Sequence, residues 1–344
     1  MSRHVIRRTA AILALALVLS GCKKKVEEKP ASNTPVEEPE KPASEEPEPA
    51  GEEEQEIPPE QMDLIKYNYY VELNNDIVVI LDDIEYYYQV VADEEEFSML
   101  PDTGLTYGYR IYGKNSDILD DCVQLAGMEP DYGDLDALVK EMEESLRALM
   151  DTFSEISDSN DYADNQYQKA KEYHAVVHQA AAAFTPLAYE YMDGIAEMGD
   201  ERTAQDEARM KEEGNLIIYN ASRGISIAKE VVDEAYSQGV TDENITDLDL
   251  TRIRELHDEL VSVVADLDAA LADNDQLMKE SLSNSRPFDG LYDSLIQALE
   301  WMIKQVESGQ PVDLSGSGAP LGSIGHFSYV ISQCIDRYNT VFVD

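Results

Sequence analysis

Cysteine is scarce in this 344-residue chain, which carries only Cys22, Cys122 and Cys334. Without clustered Cys or Cys/His pairs, a zinc finger or a disulfide-stapled miniature domain is excluded. Basic residues are few as well: 26 Lys+Arg stand against 71 Asp+Glu, a formal net charge of −45. Such a field repels phosphate backbones, so nucleic acid is not an expected partner, and it opposes direct adhesion to anionic lipid. Cationic partners or loosely held divalent cations are the compatible ones. The sequence also lacks an apolar run of the ~20 residues that a spanning helix needs. The segment from Ala10 to Leu19 is half that length, follows Arg3, Arg7 and Arg8, and has the form of a secretory signal.

What is present begins where that signal ends. Leu19-Ser20-Gly21-Cys22 places small residues before a cysteine, with Lys23-Lys24-Lys25 just after, which is the pattern of lipoprotein processing. Residues 1–21 are expected as the signal peptide, cleaved between Gly21 and Cys22, and the Cys22 thiol is expected to carry the lipid. Lys23 in place of aspartate points to outer-membrane sorting in a Gram-negative cell, whereas in a Gram-positive cell the plasma membrane would hold the anchor. From Lys23 to about Glu60 the chain is Glu, Pro, Lys, Ala and Ser, with too little apolar surface to offset chain entropy. Residues 22–61 are therefore expected as the lipidated cysteine plus a disordered tether with a reach of up to ~100 Å. In an oxidising compartment Cys122 and Cys334 could pair; Cys334 also falls on an apolar helical seam, where a free thiol packs as a small hydrophobe.

Residues 62–344 are expected as one elongated, all-α antiparallel bundle with coiled-coil-like packing. Tyr70, Leu73, Ile77, Ile80, Ile84, Tyr87 and Val91 recur in steps of three and four, the signature of one helical face. Leu135 to Ile156 and Tyr167 to Tyr191 repeat it. A fourth helix is expected from near Glu201 to Tyr236, its seam of small residues allowing close approach. A fifth carries the stripe Leu250 to Met278, a sixth starts near Ser285 and Pro287, and the last runs from Ile324 to Val341 after a Gly, Ser and Pro break at 309–322. The irregular stretch 93–133 holds a short helix near Asp117 to Leu125. No alternating strand pattern is present.

Lys66-Tyr67-Asn68-Tyr69-Tyr70 with Leu73-Asn74-Asn75, then Asp161-Tyr162-Ala163-Asp164 with Lys169, Lys171 and His174, and the closing Tyr338-Asn339 carry a resemblance. The chain resembles the YiiG-type bacterial lipoproteins, a domain of unknown function numbered 3829. The resemblance implies a predominantly helical, lipid-anchored envelope protein, and it brings no catalytic residues with it.

Several arrangements have the form of chemistry. His174 and His178 stand one helical turn apart, the spacing that lets two imidazoles reach one metal, but the glutamate of a zinc-protease helix is absent. His257 would supply a third ligand if its helix packed alongside. Gly108 to Asn115 approaches a phosphate-binding loop, with Asn115 where Ser or Thr would hold magnesium. The acidic groups around Asp158–Asp164 and Asp242–Asp249 lack the closing glutamate of a calcium loop and read more simply as turns and helix caps. Twenty tyrosines, many in runs such as Tyr86-Tyr87-Tyr88, would suit a carbohydrate or peptide surface as well as a bundle core. No Ser-His-Asp, Cys-His or paired-carboxylate arrangement stands out, so no enzyme and no cofactor are expected. The expected function is a lipid-anchored extracytoplasmic envelope protein, held to the membrane by its N-terminal lipid. Its bundle is expected to bind an envelope protein, peptide or wall component without catalysis. The alternative is metal or small-ligand binding through His174, His178 and His257.

Overall fold

The computed structural model describes residues 58–101, 107–108, 110–158, 166–316 and 318–343. Gly21, Cys22, the signal and nearly all of the tether lie outside the described residues, as does the Asp161-Tyr162-Ala163-Asp164 motif. Among the described residues the fold is all-α: α1 (Pro59–Tyr88), α2 (Asp117–Leu125), α3 (Asp134–Asp158), α4 (Gln168–Glu213), α5 (Leu216–Ser237), a 3-10 turn (Ile245–Asp247), α6 (Leu250–Ala272), α7 (Asn274–Lys279), α8 (Leu291–Ser308) and α9 (Ile324–Phe342). The only extended pairing among them is an isolated bridge between Val91 and Met99.

Helix ends follow local chemistry. α1 opens on Pro59, where a missing N–H costs nothing. The Asp249 carboxylate accepts the Thr251 N–H at 2.7 Å to start α6, and the Ser323 hydroxyl accepts the His326 N–H at 2.9 Å to start α9. The expected helix from Glu201 to Tyr236 is in fact two elements. α4, 46 residues and about 70 Å long at 1.5 Å per residue, continues into that region and stops at Gly214. Gly214 adopts φ +69°, its N–H reaches Lys211 O, and the Asn215 N–H reaches Met210 O, which satisfies the last carbonyls. Pro186 sits inside α4 without ending it. The carbonyl it cannot serve belongs to exposed Ala182, and the Thr185 hydroxyl donates to Ala181 O in the same turn.

Two further boundaries move. The stripe expected to run to Met278 is interrupted at Asp273, whose carboxylate accepts the Asp275 N–H and starts the separate α7, leaving Met278 70% exposed. α8 begins at Leu291 and not near Ser285, because Asp289 (φ +50°) and Gly290 (φ +79°) turn the chain first.

The buried apolar side chains fall into two clusters. The first joins α1, α2, α3 and α4 as far as Ile195; the second joins α5, α6, α8 and α9 from Ile217 to Tyr338. Consecutive long helices run antiparallel, as their cross-contacts show: Lys229 with Asp200 and Ser222 with Glu207 between α5 and α4, then Arg223 with Glu259 and Arg252 with Glu230 between α5 and α6. Gly224 on α5 lets the Tyr292 ring approach to 3.1 Å from where a Cβ would stand, the close approach that the small-residue seam foretold. Cys122 lies in the first cluster and Cys334 in the second, both buried and free, so the pairing considered above is not made. Their thiols donate instead to Tyr69 O and Leu291 O, and burial pushes the Cys334 thiol up to about 12.

Candidate functional site

The Lys66-Tyr67-Asn68-Tyr69-Tyr70 run builds a polar centre inside the first cluster. Lys66 is fully buried; its ammonium donates to Met128 O (3.0 Å), Pro130 O (2.7 Å) and Asp136 Oδ2 (2.8 Å). The other Asp136 oxygen accepts from the Tyr70 hydroxyl, and the Tyr132 N–H adds a further bond to Oδ2. A second set of bonds, centred on Asp63, lies beside it. The Tyr132 hydroxyl and Arg202 both donate to Asp63 at 2.8 Å, while the Arg202 guanidinium stacks 4.3 Å from the Tyr67 ring. Burial alone would raise the Asp63 carboxyl, but these bonds from Arg202 and Tyr132 hold it below the usual value. Tyr191 completes the tie by donating to Tyr70 O. α1, α3, α4 and the 128–132 segment are thus joined through groups whose bonds all end inside the protein.

Several other buried tyrosines bond within the protein, whereas Tyr112 and Tyr329 are exposed and the buried Tyr338 hydroxyl has no partner among the described residues. Tyr87 bonds His174, Tyr292 donates to Ala221 O, and Tyr70, Tyr132 and Tyr191 are accounted for above. The histidines do not converge. His174 is buried with Nδ1 2.9 Å from the Tyr87 hydroxyl and Nε2 2.7 Å from Glu94 O, so neither nitrogen is open to a metal. His178 lies beside it with ring centroids 5.7 Å apart. His257 belongs to the second cluster's α6, where it faces Asp258 and Glu300. Among the described residues no group of three metal-ligating side chains is assembled, and His174, His178 and His257 are not brought together.

The loop that resembles a phosphate cradle already holds an anion. The buried Asp83 carboxylate accepts the N–H groups of Tyr112 and Gly113, both at 2.9 Å, and Lys114 pairs with Asp76 at 2.7 Å. Other carboxylates grip helix starts in the same two-pronged way: Glu280 takes the Ile217 and Ile218 N–H groups of α5, and Asp242 those of Ile324 and Gly325 in α9. The Asp242–Asp249 group is therefore a set of turns and caps.

Burial pushes up the carboxyls of Asp83, Asp242 and Glu207, partly offset by their bonds to backbone N–H groups and, for Glu207, by the hydroxyls of Ser226 and Ser222. A carboxyl raised on folding holds its proton more tightly in the native state. Its stabilising contribution is complete below the ordinary carboxylate value and is lost as pH rises through the folded value. Asp63 runs the other way, losing its contribution as pH falls below the usual carboxylate range. The melting temperature is therefore expected to rise as pH falls from neutrality toward the ordinary carboxylate range and to drop again in stronger acid. Glu207→Gln keeps an oxygen for both serines, so it should raise the melting point at neutral pH and flatten the rise; thermal scans showing stability unchanged or falling as pH is lowered from neutrality toward that range would contradict this.

One open concavity lies apart from these closed networks. The last turns of α6 and the 285–293 corner enclose a groove of about 660 Å³. Leu267, Leu271 and Phe288 contribute its apolar floor, and Asp268, Asp289 and Arg286 its rim. Burial, with Asp293 nearby, pushes up the Asp268 carboxyl.

A family model described as "Protein of unknown function (DUF3829)" matches residues 61–340. The chain belongs to the DUF3829 family. The match begins in α1 and ends in α9, so the DUF3829 region takes in both buried clusters. No curated protein and no solved structure matches the chain. Within the DUF3829 region, the Lys66 motif marks the most interconnected buried centre, whereas Asp136 and Arg202, its partners, carry no local signal. The groove was also missed from sequence; Ser285-Arg286-Pro287-Phe288-Asp289-Gly290 reads there as an ordinary helix start.

Proposed function

We propose that the chain is a lipid-anchored extracytoplasmic envelope protein whose helical domain serves as a non-catalytic binding or scaffold module. The observation that carries this reading is Cys22 at the end of Leu19-Ser20-Gly21, behind a short apolar segment with a basic start. The acyl chains on Cys22 provide the membrane contact, and the Glu- and Pro-rich stretch to residue 61 holds the domain away from the bilayer. In a Gram-negative cell that bilayer is the outer membrane; in a Gram-positive cell it is the plasma membrane. Support for binding over catalysis comes from the polar centres, whose donors and acceptors are spent on one another, and from a groove that remains open. The net charge of −45 sets the partner class as cationic protein, peptide or wall material and disfavours nucleic acid.

Replacing Cys22 with serine tests the anchor directly. The wild-type protein should label with a fatty-acid analogue and sediment with membranes, and the variant should do neither. Lipid labelling that persists in Cys22→Ser would sink the reading.

A further inference from the structure

We infer that the groove between the end of α6 and the 285–293 corner binds a lysine- or arginine-bearing peptide segment, the aliphatic stem on its apolar floor and the charged end against Asp268 and Asp293. The inference rests on the reading of the domain as a binding module and adds to it the site and the chemistry of the partner.

The floor and the wall call for different parts of one side chain. Leu267 and Phe288 are core residues, 1% and 3% exposed, that show only an edge to the groove, while half-buried Leu271 extends the apolar strip along α6. A strip this narrow suits a linear hydrocarbon stem better than a broad apolar face. Asp268 lies on α6 and Asp293 in the first turn of α8, both lining the groove; burial and then the neighbouring Asp293 push up the Asp268 carboxyl, and no ion pair engages either one among the described residues. Two carboxylates that line one groove and are engaged in no ion pair gain when a cation enters beside them. Asp289 differs, since Arg337 holds it at 2.9 Å. That leaves the cationic end one direction to take, toward Asp268 and Asp293. Arg286 is exposed on the rim, and its backbone bonds Asn284 and the Asp289 N–H; its guanidinium is offered to a peptide carbonyl or terminal carboxylate. A volume of about 660 Å³ admits one or two such side chains with their backbone, and excludes a folded domain.

Fluorescence anisotropy of the full-length chain with a dye-labelled peptide of alternating lysine and leucine tests the inference. The expected result is saturable one-to-one binding, with no binding of the glutamate/leucine counterpart. The pair Asp268→Lys and Asp293→Lys should weaken it about tenfold or more. The pair Glu141→Lys and Glu144→Lys on α3, an equal change in net charge on a distant acidic face, should leave it nearly unchanged. Ala272→Trp, placed at the exposed rim to fill the groove without altering charge, should also block binding. Equal losses from the α6/α8 and α3 reversals, or full binding by Ala272→Trp, would overturn the proposal in favour of diffuse attraction to an acidic surface. Membrane release by Cys22→Ser reports on the anchor alone, so failure at the groove and failure of the anchor are read separately.

Discussion

Asp136→Ala is expected to destabilise the protein by about 3–5 kcal/mol, because it strips the counter-charge from a lysine that has no access to water. Lys66 would be left with only two carbonyls, Met128 O and Pro130 O, while the Tyr70 hydroxyl and the Tyr132 N–H would lose their acceptor. A loss of that size lowers the melting point by roughly 10 °C in a domain of this length. Lys66→Met should cost less, since the Asp136 carboxylate would keep its bonds from Tyr70 and Tyr132. Urea denaturation of the two variants side by side measures the order. If Lys66→Met proved the more damaging, the centre would be held by packing of the lysine stem and not by its charge.

Gly113→Ala is the second large effect. Gly113 has φ +67°, and a Cβ there would meet the Ser154 backbone N and Cα in α3 at 2.8 Å. A helix interior cannot yield by that amount, so the 110–114 segment would have to lift away, and with it the two N–H groups that satisfy Asp83. The expected cost is about 3 kcal/mol, combining left-handed strain with overpacking. Gly133 supplies the control: it shares the left-handed backbone at φ +59° but has no atom within 4 Å of its would-be Cβ, so Gly133→Ala should cost only about 1 kcal/mol. Equal losses at the two sites would show that backbone strain, and not the contact with α3, dominates at Gly113.

Helix existence was legible because each long stripe repeats its three-and-four spacing over several turns, as Leu135 to Ile156 does without a break. Boundaries were less so. Gly199 and the polar residues after Glu201 resemble an interruption, yet α4 passes through them because Arg202 and Glu207 find partners on α1 and α5. The true stop at Gly214 depends on one left-handed residue. The histidine spacing was incomplete for a comparable reason. A spacing of four residues says that two rings share a face, but it does not say that a tyrosine from α1 and a carbonyl from residue 94 already occupy the inner one. The Lys66 centre was visible only as an unusual motif, since its counter-charge lies 70 residues away. The groove gave no periodic signal at all, being formed where an apolar stripe ends and a left-handed corner begins.

The two-pronged carboxylate caps have a consequence for synthesis on the ribosome. Asp242 precedes α9 and is already in place when Ile324 and Gly325 emerge, so the last helix meets a ready partner. α5 meets none, because Glu280 follows Ile217 by 63 residues. Until that carboxylate emerges, the first turn of α5 presents open amides, and they find this acceptor only once the chain has passed α6 and α7. The second cluster thus closes as a unit late in translation, by which time the first already has every residue it needs.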